Sequence, residues 1–167
     1  MTTRINIAID VMGSDKGPKT IIEASSISKT RYPEIKYTYF GDSKLILKYV
    51  EKYKNLTNSY DIIHTDEEVL PEDKPSLALR KRKSTSMGRA LSFLKEKKIE
   101  ALVSAGNTGA LMAISKLELR MLDGILRPAI AATFPHKKGE FVMLDLGANT
   151  ECSQEHLFQF AVMGSEY

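Results

Sequence analysis

Three times along this chain an apolar run of strand length breaks at a glycine-bearing turn and passes directly into a helical pattern. The middle instance is the most compact. Ala101 to Val103 reads as a short strand covered on both faces, and Ser104, Gly106, Asn107 and Thr108 supply the turn. Ala110, Leu111, Ile114, Leu117 and Met121 then recur at the spacing of one helical face. The first instance runs from Ile5 to Met12, breaks at Gly13-Ser14-Asp15-Lys16-Gly17, and places Pro18 where a first helical residue belongs, with helix expected to about Tyr32. The third runs from Phe141 to Leu146 into Gly147-Ala148-Asn149-Thr150, after which Ser153 caps a helix with Leu157, Phe160, Ala161 and Gly164 inward.

The intervening segments fit the same scheme. Ile35 to Phe40 and Tyr60 to His64 read as strands around a helix from Ser43 to Tyr53. Residues 65–75 form an acidic, proline-bearing surface loop. Ser84-Thr85-Ser86 offers caps for a helix whose stripe is Met87, Ala90, Leu91 and Leu94. Ala129 to Phe134 reads as a strand joined to Phe141–Leu146 through a hairpin at His136-Lys137-Lys138-Gly139-Glu140. The order β-α-β-α-β-loop-α-β-α-β-β-α predicts an α/β fold, with a mainly parallel sheet between helical layers.

Composition narrows the function. A chain of 167 residues can form one domain with a proper core. The 24 basic and 21 acidic residues leave a net charge of +3, which does not indicate a nucleic-acid binder. The single Cys, Cys152, permits no disulfide within the chain and suits a reducing compartment. Met1 to Asn6 lacks the apolar core of a signal peptide, and no apolar run reaches the length of a membrane span. A cytoplasmic location is expected, with room for a visit to a membrane surface.

Ligands of such folds sit beyond the carboxyl ends of the strands. Three loops are expected on that edge: Gly13-Ser14-Asp15, Ser104 to Gly109, and Gly147-Ala148-Asn149. A small-residue turn into a helix leaves backbone N–H groups open to an anion, although an ordinary tight turn that binds nothing has the same pattern. Asp10 and Asp15 flank the first loop, placed to hold a loop, a metal or a substrate hydroxyl; capping of turn N–H groups by Asp15 is the plainer alternative. Arg80-Lys81-Arg82-Lys83 is the densest charge run, either a solvated face or a holder of phosphate or an acidic partner. His64 beside acidic residues lacks ligand spacing and reads as solvated or hydrogen-bonded. Neither the dinucleotide fingerprint, nor a P-loop lysine, nor a recognisable nucleophile set is present. From the residues alone the chain reads as a cytoplasmic α/β enzyme that handles an anionic small molecule; a phosphate- or nucleotide-binding enzyme of the same fold with other chemistry, and an inactive truncated fragment, are the alternative readings.

Several runs together resemble the bacterial phosphate acyltransferase (PlsX) family. Asp10-Val11-Met12-Gly13-Ser14-Asp15 with Pro18 resembles its opening motif, with Val11 and Ser14 where the family has alanine and a second glycine. Lys74-Pro75-Ser76 with Ala78, Arg80 and Ser86-Met87 resembles its middle motif, and Ser104-Ala105-Gly106-Asn107-Thr108-Gly109-Ala110 its most characteristic run. Arg127-Pro128-Ala129, Asp145-Leu146-Gly147-Ala148-Asn149 and the stretch from His156 to Gly164 follow in the family's order. The resemblance covers the whole chain but only about the first half of such an enzyme. It therefore implies that residues 1–167 are the N-terminal part of a single three-layer α/β/α sandwich, of the isocitrate-dehydrogenase-like and phosphotransacetylase-like kind. The other half would contribute further strands, part of the active-site edge and much of a homodimer contact.

The implied reaction passes a fatty acyl group from acyl carrier protein to inorganic phosphate, giving acyl phosphate for phospholipid synthesis. No cofactor, metal or nucleic acid is implied, and a membrane glycerol-3-phosphate acyltransferase would act downstream. Phosphate itself can attack the thioester, so the protein need only place it and stabilise charge. The resemblance then implies roles for particular residues. Backbone N–H groups of Gly106, Asn107 and Thr108 would hold phosphate or the thioester oxyanion. Arg80, Lys81 or Lys83, and Arg127, would neutralise phosphate, or the basic run would dock the carrier. Asp10, Asp15, Asp145 and Asn149 would orient loops or substrate, with Gly13, Ser14, Ser104, Gly109, Gly147 and Ala148 completing the binding turns.

Overall fold

A computed structural model describes residues 5–167, so Met1–Arg4 of the N-terminal reading lie outside the described residues. The chain divides into two units, one ending at Leu119 and one spanning Arg120–Tyr167. In the first, β1 (Asn6–Asp10), β2 (Lys36–Gly41), β3 (Tyr60–His64) and β4 (Ala101–Ser104) form a wholly parallel sheet in the order β3-β2-β1-β4. Its helices are α1 (Gly17–Arg31), α2 (Ser43–Val50), α3 (Pro75–Lys81), α4 (Ser86–Lys95) and α5 (Thr108–Leu119).

Side chains of a strand alternate between its two faces, and here each face has its own helical cover. Ile9, Tyr37 and Tyr39 pack with Ile22 of α1 and with Ile46 and Val50 of α2. Ala8 and Phe40, one residue out of phase, pack with Ala90 of α4 and with Ile99. The result is the expected α/β/α layering. A third cluster of Val69, Ala78, Met87, Leu91, Ala110 and Ile114 joins α3, α4 and α5. Ile22, Ile46 and Ile114 are completely buried, and each such side chain stabilises the fold by about 1.5–3 kcal/mol.

The helix starts follow from local chemistry. Pro18 and Pro75 sit in the first turns of α1 and α3. The Asp42 carboxylate accepts from the N–H groups of Lys44 and Leu45, and the Thr85 hydroxyl accepts from Gly88 N–H. Helix α3 is the element the sequence pattern left out, because its only buried residue, Ala78, is masked by basic neighbours. Helix α5 stops at Leu119, two residues early, where Arg120 takes a φ of 65°.

Strand β4 pairs with β1 alone among the described residues. On the α1 side its Val103 is 53% exposed, and it borders an apolar groove of about 200 Å³ walled by Ile7, Ile9 and Ile21. In the second unit, β5 (Ala132–His136) and β6 (Gly139–Met143) pair as an antiparallel hairpin, followed by α6 (Gln154–Glu166). Both strands sit closer to the Lys137-Lys138 turn than the apolar runs suggested, because the register closes at His136 opposite Gly139. No helix among the described residues is long and apolar enough to cross a membrane.

Candidate functional site

Two of the three expected loops meet at the end of the sheet. β1 and β4 are neighbours, with Asp10 in register with Ser104, so the turns that follow them emerge side by side. Asp10 is 1% exposed, and both its oxygens are used. The Ser86 hydroxyl, at the start of α4, donates to Oδ1 at 2.7 Å, and the Ser104 hydroxyl donates to Oδ2 at 2.7 Å. Ser104 Oγ in turn accepts from Gly106 N–H at 3.2 Å, so a polar relay runs from the second turn into the buried carboxylate.

Glycine makes the close approach possible. A β-carbon on Gly13 would lie 2.9 Å from Asp10 Oδ2 and 3.1 Å from the Gly106 Cα. One on Gly106 would lie 3.0 Å from the Gly13 carbonyl oxygen and 3.3 Å from Met87 Cε. The two turns therefore pack backbone on backbone.

Asn107 fixes the start of α5. Its Oδ1 accepts from Ala110 N–H at 2.9 Å, while its Nδ2 donates to the carbonyls of Leu70, Pro71 and Asp73 at 3.2, 2.9 and 3.0 Å. The side chain thus caps the helix and ties the acidic loop to it. The backbone N–H groups of Asn107, Thr108 and Gly109 have no acceptor among the described residues. Open N–H groups at the positive end of a helix suit an anion. Pro75 packs on Gly109, its Cγ 3.3 Å from where a β-carbon would sit, which brings the α3 start and its neighbour Lys74 to this turn.

The remaining residues of the first unit divide clearly. Ser14 closes the β1 turn itself: its hydroxyl accepts from Lys16 N–H and its carbonyl from Gly17 N–H, so the capping expected of Asp15 falls to Ser14 and Asp15 stays exposed. Arg80 and Lys83 are exposed, and Lys81 stands 3.9 Å from Glu67. Arg82 alone of the basic run turns inward, where its Nε lies 3.0 Å from Glu118. His64 is hydrogen-bonded, as expected: Nδ1 accepts from Ser43 N–H and Nε2 faces Asp66 at 2.9 Å. Glu68 was not anticipated. Burial, and next the negative Asp10, pushes its carboxyl above the ordinary glutamate range. Nor was the role of Ser86, although its place after the Thr85 cap is the signal that fixes it at a helix start.

The third loop belongs to the second unit and is organised by Asp145. Its carboxylate accepts from the N–H groups of Ile130, Ala148 and Asn149 and from the Asn149 amide, at 2.7–3.3 Å. Burial pushes the Asp145 carboxyl upward, but these hydrogen bonds outweigh it and hold the group below the ordinary aspartate range. Asn149 also donates to the Pro128 carbonyl, Arg127 to the Glu151 carbonyl, and Gly147 turns the chain with a φ of 91°.

Known proteins match this chain from end to end. The profile of a family described as "Fatty acid synthesis protein" matches residues 5–167. A phosphate acyltransferase of Parvibaculum lavamentivorans is 46% identical over all of this chain and 46% of its own length. Proteins of the same name from Paramagnetospirillum magneticum and Rhodopseudomonas palustris BisA53 are 44% and 47% identical over 100% and 99% of the chain, and 48% of their own lengths. The chain thus spans about half the length of the curated relatives it matches. It belongs to the fatty acid synthesis protein family.

Proposed function

We propose that this chain is the N-terminal part of a phosphate acyltransferase that transfers a fatty acyl group from acyl carrier protein to inorganic phosphate. The observation that carries the reading is the end-to-end similarity to proteins of that name. The geometry supports it: two glycine turns held against each other over Asp10, beside the open N–H groups at the start of α5. In this reading those groups hold phosphate or the developing oxyanion, with Arg80, Lys81 or Lys83 and Lys74 supplying positive charge. A phosphate oxygen attacks the thioester carbonyl, the carbon–sulfur bond breaks, and the carrier leaves as its thiol once protonated. No protein nucleophile is required.

Asp10 and Asn107 act by positioning, since their side chains are committed to the two turns and the acidic loop. Asp145, Asn149 and Arg127 order the third loop within the second unit. The relatives' second half would add strands at the open edge of β4, complete the single domain and form a homodimer. The enzyme would work in the cytoplasm, at the inner face of the membrane where a glycerol-3-phosphate acyltransferase takes its product. The test is acyl phosphate formation, trapped with hydroxylamine, by the full-length gene product given acyl carrier thioester and phosphate. Product that depends on both substrates and disappears in Asp10→Ala is expected; no acyl phosphate from the full-length protein ends the proposal.

A further inference from the structure

A polar cleft of about 310 Å³ lies along α4. Arg82, Lys83, Arg89 and Lys98 line it, together with Glu96 and Glu118. Both carboxylates are already matched. Glu118 lies 3.0 Å from Arg82 Nε and 3.1 Å from Lys95 Nζ, and Glu96 lies 2.6 Å from Lys98 Nζ. Lys83 and Arg89 pair with no carboxylate among the described residues; Arg89 reaches only the His64 carbonyl, at 3.4 Å. The cleft therefore presents unneutralised positive charge around a floor of satisfied ion pairs. Phe93, under the Lys98 ammonium at 4.8 Å, gives it an apolar wall.

The cleft and the site share a helix. Gly88 lines the cleft, while Ser86 and Met87, less than a turn earlier, reach Asp10 and Gly106. A β-carbon on Gly88 would fall 1.9 Å from the Arg82 carbonyl oxygen, so α4 is pressed against the backbone that carries Arg82 and Lys83. Successive residues of one helix thus serve the turns where the reaction is proposed and the cleft.

We propose that this cleft, and not the exposed Arg80-Lys81 end of α3, docks the acidic carrier protein; the inference rests on the phosphate acyltransferase reading. Charge complementarity selects an acidic partner. The interleaved Glu96 and Glu118 and the apolar Phe93 favour an acidic helix over a nucleic acid, whose continuous phosphate backbone suits a groove of one sign.

The test measures binding of fluorescently labelled acyl carrier protein to the chain by anisotropy at low salt. Lys83→Glu with Arg89→Glu should weaken binding at least tenfold, and the neutral pair Lys83→Gln with Arg89→Gln should weaken it less. Lys19→Glu, on α1, should leave it unchanged. Melting curves of each variant exclude unfolding as the cause. If the carrier binds but only Arg80→Glu with Lys81→Glu weakens it, the cleft assignment fails and the reaction stands. A duplex oligonucleotide that binds more tightly than the carrier, and loses affinity with the same variants, also overturns the assignment. No carrier binding by the chain overturns it too, and with no acyl phosphate from the full-length protein the reaction falls as well.

Discussion

Asp10 and Asp145 are two aspartates at the ends of apolar runs, each tying a glycine turn, and they do so in opposite ways. Asp10 takes hydroxyl donors from Ser86 and Ser104, which lie 76 and 94 residues away in sequence. Asp145 takes mostly backbone donors, from Ala148 and Asn149 three and four residues on and from Ile130 fifteen back. The first is a tertiary clasp that joins β1, β4 and α4; the second is a local loop closure. Loss of the first should loosen a unit, and loss of the second should loosen a loop.

The largest expected effect is at Asp10. Asp10→Ala removes two hydrogen bonds to a buried charge and strands two hydroxyls, for a loss of about 4 kcal/mol in urea unfolding of the first unit. A loss under about 1 kcal/mol would mean that Asp10 is no more than a local closure, like Asp145. Next come the glycines. Gly13→Ala drives a methyl into backbone and should cost about 2–3 kcal/mol. Gly147→Ala meets open space and carries only the strain of its φ of 91°, about 1 kcal/mol. Equal costs would show that packing plays no part.

The Asp145 loop should show its own pH dependence. Its folded carboxyl lies below the ordinary value of 3.8, so its stabilisation is complete above that value and is lost as pH falls through the folded one. Amide NMR signals of Ile130, Ala148 and Asn149 should shift together on acidification below pH 3.8, and Asp145→Asn should flatten the response. The smallest effect is at Arg80, exposed and without an ion pair among the described residues: Arg80→Ala should change stability by less than about 0.5 kcal/mol. A larger loss would mean that it has a structural partner.

The same contrast explains what could be read from the sequence. Strand, turn and helix in the first unit were legible because glycine breaks and apolar periodicity are local signals, and so was Ser104 within its turn. That Ser86 reaches Asp10, or that Asn107 gathers three carbonyls from residues 70–73, depends on parts brought together only by the sheet order. Helix α3 was hidden because a seven-residue helix with one buried alanine has almost no periodic signature. The Arg82–Glu118 pair was hidden for a related reason: a basic run does not reveal which of its members turns inward.

The order β3-β2-β1-β4 also sets a timetable for synthesis. β1, β2 and β3 leave the ribosome before β4, so β1 can pair with β2, and β2 with β3, through short crossovers while the rest is still being made. The other edge of β1 waits for β4, so the glycine turns cannot meet until Ser104 has emerged and reached back across 94 residues to Asp10. A nascent chain halted between β3 and β4 would hold a three-stranded sheet with a lone carboxylate at its rim. Among the described strands of this sheet, the one made last is the one that brings the two glycine turns together.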